Sequence, residues 1–193
     1  TPDFSIGRVP VGSTNWMLTL PTFGLTNVAA TLGNPALLKI NEWMADPASG
    51  DDWFEIYNPD TLPVALSYLR LTDTFGDPNP YRIPALSFIG LGSNAFQRFE
   101  ADNPASPLGP EHVNFKLSKA ADAIYLLTSN NAVVIDVISW TNAQEKGVSE
   151  GRLPDGSSTT VRFQETATPG DANYLPLTDL VVDEILTHTD PPL

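Results

Sequence analysis

An all-β fold, an antiparallel sandwich, is predicted by three features of the sequence. Eighteen prolines and thirteen glycines punctuate the 193 residues, a density that few helices survive. Between them stand short runs rich in Val, Ile, Phe, Tyr and Trp, bounded by Asn, Asp, Gly and Pro. No long crossover helix separates these runs, so the strands are expected to pair antiparallel.

The first central runs are "LLKINEWMA" (37–45) and "DWFEIYN" (52–58). Strict alternation in the second puts Trp53, Glu55 and Tyr57 on one face, and Phe54 and Ile56 on the other. "VALSYLRLT" (64–72), "NAFQRFE" (94–100) and "NFKLS" (114–118) follow. "DAIYLLT" (122–128) and "AVVIDVISW" (132–140) flank Asn130-Asn131, a hairpin signal because Asn tolerates positive φ. "TNAQEK" (141–146) is helix-compatible but reads as a turn, and "TTVRF" (159–163) is the last central strand. The proline-rich "ADNPASPLGPEH" (101–112) is a long internal loop, the kind of segment where binding often sits.

The chain repeats itself. "FSIGRVPVGS" (4–13) returns as "VSEGRLPDGS" (148–157), and "PTFGLTN" (21–27) as "ATPGDAN" (167–173). Ser5 then matches Ser149, Gly7 Gly151, Arg8 Arg152, Gly12 Gly156, Gly24 Gly170 and Asn27 Asn173. The copies differ where Val11 faces Asp155 and Phe23 faces Pro169. A weaker echo sets "LKINEWMADP" (38–47) against "LVVDEILTHTDP" (180–191), matching Asn41 with Asp183 and Glu42 with Glu184. The expected organisation is the tail of a preceding repeat (1–27), a linker (28–35), a complete unit (36–174), then a linker and the head of a following repeat (175–193). Both flanks carry strand-like runs, 15–20 and 180–187, so a homodimer through flanking strands is expected.

The formal charge is −13 and the pI near 4.2, with no Lys/Arg run. Nucleic acid is a poor partner for such a surface, and so is an anionic membrane. No stretch approaches the ~20 apolar residues of a membrane span. No signal peptide is visible, and the absence of cysteine excludes disulfide, thiolate and Cys-ligated metal chemistry. A chain without cysteine fits an exported repeat protein at an extracellular or cell-surface location.

"INEWMADPASGDDWFEIYNPDTLPVALSYLRLTD", then "NFKLS", "VVIDVISW", "GRLPDGS" and "TPGDAN", occur in the order of the bacterial lamin-tail domain family, which residues 38–173 resemble. The resemblance implies an immunoglobulin-like β-sandwich, found as an accessory module of large exported proteins and not known for catalysis. By the same resemblance, 4–27 looks like the end of a preceding lamin-tail repeat.

Candidate chemistry is sparse. The two histidines, His112 and His188, stand in loops with no G-x-S-x-G elbow near them, and solvent-facing positions are expected for both. Glu42 and Glu55 lie on successive strands and could face one another as glycosidase carboxylates do. A structural ion pair of either one with Arg152 is the better expectation, because a buried carboxylate needs a partner. Gly151, Gly156 and Gly170 are expected to hold backbone shapes that other residues resist, the last two at positive-φ turns. Asp46, Asp51 and Asp52, and Asp73, Asp77 and Asn79, form oxygen-rich loops that would suit Ca²⁺, although Asp is also an ordinary turn residue. Trp16, Trp43, Trp53, Trp140, Tyr68 and Tyr81 could serve as carbohydrate platforms or as core. The expected role is a non-catalytic spacer, or a module that contacts protein or cell-surface polysaccharide. The alternative is a calcium- or polysaccharide-binding accessory domain attached to a hydrolase.

Overall fold

The computed structural model describes residues 3–105, 108–178, 180–183 and 185. Its strands are β1 (Ser5–Arg8), β2 (Trp16–Leu20), β3 (Val28–Ala29), β4 (Lys39–Met44), β5 (Trp53–Tyr57), β6 (Val64–Ala65) and β7 (Arg70–Thr72). They continue as β8 (Tyr81–Arg82), β9 (Phe88–Ile89), β10 (Phe96–Glu100), β11 (Asp122–Leu127), β12 (Val134–Trp140), β13 (Ser149–Arg152) and β14 (Thr160–Phe163). One sheet runs β10-β5-β4-β13-β14 and a second β12-β11-β7-β8. Every ladder between these strands is antiparallel among the described residues.

The two sheets face each other across aromatic residues. Trp43 of β4 stacks on Trp140 of β12 with ring centroids 6.1 Å apart. Phe54 of β5 stacks on Phe99 and Phe115 at 5.5 and 6.0 Å. Ile40, Ile56, Leu71, Ile124 and Leu126 fill the space around them. Alternation places these side chains between the sheets and turns their neighbours outward.

Two of the expected strands form differently. The run 64–72 breaks at Tyr68, whose φ of 70° turns the chain, so β6 pairs with β9 while β7 enters the second sheet. Segment 114–118 makes only an isolated bridge, Asp102 with Lys116. Its apolar alternation is still used, since Phe115 and Leu117 are buried, as is Val113 just before it. The Asn130-Asn131 turn joins β11 to β12, with Asn131 at φ 61°.

At the N-terminal side β1, β2 and β3 form a separate three-stranded sheet, so Val28 and Ala29 of the expected linker are strand residues. The rest of that linker is tied down: Gly33 N donates to Pro63 O at 2.9 Å, and Asn34 N to an Asp60 carboxylate oxygen at 2.8 Å. Residues 180–183 and 185 belong to no strand, while Glu184 and His188 lie outside the described residues.

Candidate functional site: buried carboxylates beneath a hairpin

The site grows from an irregularity in β4. Its register against β5 shifts between Ile40 and Glu42. That bulge lets Ile40 and Trp43 both enter the core while Glu42 points to the outer face of the sheet. Glu42 is then paired across the ladder with Glu55 on one side and with Gly151 on the other. Both glutamates are fully buried, yet not between the sheets. They lie under the loop that follows β14.

That loop and the β13 edge supply the hydrogen bonds. Glu42 accepts from Ser149 Oγ, from Thr168 N and from Thr168 Oγ1, the last two at 3.1 Å to Oε2. Glu55 accepts from Asn41 Nδ2 at 2.9 Å and from Gly170 N at 2.7 Å. Asn41 also donates to Asp155 Oδ1 at 3.0 Å and accepts from Gly156 N at 2.9 Å. Asn173 Nδ2 closes the arrangement on the Arg152 carbonyl at 2.9 Å. Burial pushes the Glu55 carboxyl up to about 8, with its hydrogen bonds pulling the other way. Burial raises Glu42 too, against the hydrogen bonds from Ser149 and Thr168.

Arg152 pairs with neither glutamate. Side chains alternate along β13, so Ser149 and Gly151 share the outer face with Glu42 while Arg152 turns toward the second sheet. There its Nη2 meets Asp136 Oδ2 of β12 at 3.0 Å, and its Nε donates to Ile40 O at 2.7 Å. Asp136 also accepts from Ile40 N at 2.9 Å and from Lys39 Nζ at 3.0 Å. The expected Glu42 or Glu55 partner is therefore corrected to Asp136.

Gly156 and Gly170 have φ of 70° and 88°. Gly151 differs, because it is an ordinary ladder residue whose need is space. A Cβ there would meet Asn41 O at 2.7 Å and Asn173 Nδ2 at 2.9 Å.

The other candidates are dispersed. Asp46 is held by Lys119 at 2.9 Å, and Asp52 accepts from Leu117 N at 3.2 Å. Asp77 bonds Thr72 and the Asn79 amide within its own turn. Among the described residues no group of three or more His, Cys, Asp and Glu could hold a metal ion. His112 is not a free solvent-facing side chain, because its Nδ1 lies 2.7 Å from Asp102 Oδ2. Trp43, Trp53 and Trp140 are buried, which leaves Trp16 and Tyr68 as the exposed aromatic rings of that set.

Sequence reasoning missed Asn41, Asp136, Ser149, Thr168 and Asn173 as working residues. The repeated motif signals three of them, since Ser149, Thr168 and Asn173 recur in its first copy as Ser5, Thr22 and Asn27.

No curated protein and no solved structure matches this chain. The Lamin Tail Domain family matches residues 33–142, more than half of the sequence and most of both sheets. The closing hairpin β13–β14 lies beyond the matched segment. With its two facing antiparallel sheets, the chain belongs to the lamin tail domain family, a non-enzymatic family with an immunoglobulin-like β-sandwich.

Proposed function

We propose that the chain is a non-catalytic repeat module of a larger, exported multidomain protein, acting as a spacer or as an interaction module. The observation that carries this reading is the duplication of the closing hairpin. In β1–β2, Ser5 pairs with Thr19 and Arg8 with Trp16; in β13–β14, Ser149 pairs with Phe163 and Arg152 with Thr160. Asn27 Nδ2 donates to Arg8 O at 3.0 Å as Asn173 Nδ2 does to Arg152 O. A hairpin that is used twice in one chain suits an array of like units.

The paired carboxylates favour the same reading. Acid–base hydrolysis needs carboxyl groups that reach a substrate, whereas Glu42 and Glu55 direct their oxygens to the hairpin and its loop. Thermal unfolding in the presence of Ca²⁺, and separately of soluble polysaccharides, tests the proposal. A ligand that binds the folded state must raise the melting temperature. An unchanged melting temperature is expected, and a concentration-dependent rise would establish the accessory binding domain instead.

A further inference from the structure

We infer that Arg70, Arg82 and the hollow beside Arg82 form a docking site for an acidic peptide segment of a partner protein. Carboxylates of the segment meet the arginines, and its apolar side chains enter the hollow. The inference rests on the interaction-module reading and names the chemistry of the partner. Every residue it uses belongs to the complete unit, so it depends on neither flank.

The two arginines stand together against electrostatic preference. Leu71 pairs with Tyr81 across β7 and β8, and Leu71 is buried in the core. Alternation therefore turns the next pair, Arg70 and Arg82, to the outer face directly opposite one another. Like charges so placed destabilise a sheet. The chain has 23 acidic against 10 basic residues, yet among the described residues neither arginine forms an ion pair with a carboxylate. Arg70 Nε donates to Ser129 O at 3.0 Å, which fixes the guanidinium with its other nitrogens still available. The Arg82 guanidinium lies 4.1 Å from the centroid of the Tyr68 ring. Tyr68 reaches that place at φ 70°, a costly backbone for a bulky residue, and stays 40% exposed. Two arginines held in this way present a fixed fork for planar carboxylates.

The hollow decides what accompanies the carboxylates. It measures about 620 Å³ and is lined by Arg82, Pro84, Pro104, Leu108, Pro110 and His112 among others. Its walls are tied in place: Tyr81 Oη donates to Pro110 O at 2.8 Å, and Asn114 Nδ2 to Asn79 O at 3.0 Å. His112 is held by Asp102 from behind at 2.7 Å. Proline rings carry no N–H, and Leu108 is 67% exposed, so this wall offers apolar contact and few hydrogen bonds. Sugar hydroxyls need such bonds. A peptide that mixes acidic and apolar side chains matches both halves of the site.

Fluorescence anisotropy of a labelled octapeptide of alternating Glu and Leu, titrated with the full chain from micromolar to millimolar concentration, tests the inference. Saturable binding that weakens with added salt is expected, and a Gln–Leu or a Glu–Ser octapeptide should not bind. Arg82→Gln should weaken binding by about tenfold or more. Leu108→Ser should weaken it by about threefold. Both side chains are exposed, so unchanged circular dichroism is expected for each variant. No saturable binding at millimolar concentration, or binding indifferent to Arg82→Gln, overturns the inference. So does equal binding of an oligogalacturonate, which would mark a site for anionic sugar. Absence of peptide binding leaves the module reading standing, because that reading falls on the ligand-dependent melting instead.

Discussion

Arg152 Nη2 lies 3.0 Å from Asp136 Oδ2, and both residues are only 8% exposed. The pair joins β13 in one sheet to β12 in the other, and Ile40 of β4 bonds both side chains. Removing one partner of a buried pair strands the other charge, which costs about 3–5 kcal/mol. Arg152→Met and Asp136→Ala should each lower stability by that order in urea unfolding. A loss under about 1 kcal/mol for both is what an exposed pair would give, and it would contradict the inter-sheet role.

The partner of Arg152 was legible, but in the wrong place. The glutamates flank the central motif, but alternation along β13 turns Arg152 away from the face that Glu42 and Glu55 share. Asp136 was marked by its position: with Ile138 and Trp140 it occupies alternate places in an apolar strand, and Trp140 faces the core. A carboxylate on that face calls for a cation. The sandwich, the β11–β12 hairpin and the repeated motif were readable because they depend on local pattern and turn chemistry. The β4 bulge was not, since Ile40 and Trp43 keep an apolar spacing that strict alternation forbids. Without the bulge, Asn41 and Glu42 could not both serve the outer face.

Glu55 should make stability depend on pH. Its carboxyl moves from 4.5 to about 8 through burial, so the folded chain keeps a proton that the unfolded chain loses. Such a group contributes its full stability below pH 4.5 and loses it as pH rises toward 8. The urea midpoint should therefore fall across that window, and the fall should be shallower in Glu55→Gln. Equal slopes for wild type and variant would show that Glu55 is ionised in the fold.

The glycines of the closing hairpin should separate by mechanism. Gly170→Ala places a side chain at φ 88° with open space around it and should cost about 1 kcal/mol. Gly151→Ala drives a Cβ to 2.7 Å from a main-chain oxygen and should cost about 2 kcal/mol or more, with loss of the β13–β4 ladder visible by hydrogen exchange. The reverse ordering of the two variants would mean that close approach at Gly151 is not what fixes the hairpin.

The central claim is that Glu42 and Glu55 fasten the closing hairpin to the sheet and perform no chemistry. It is tested most directly by a double-mutant cycle between Glu42 and Thr168, whose hydroxyl donates to the Glu42 carboxylate and is removed in Thr168→Ala while the main-chain amide bond stays. Glu42→Ala, Thr168→Ala and the double variant are compared by urea unfolding. A coupling energy of about 1.5–3 kcal/mol is expected, the usual worth of hydrogen bonds to a charged group. A coupling below about 0.5 kcal/mol, with Glu42→Ala as stable as wild type or more so, would contradict the claim and is the behaviour of a residue kept for activity.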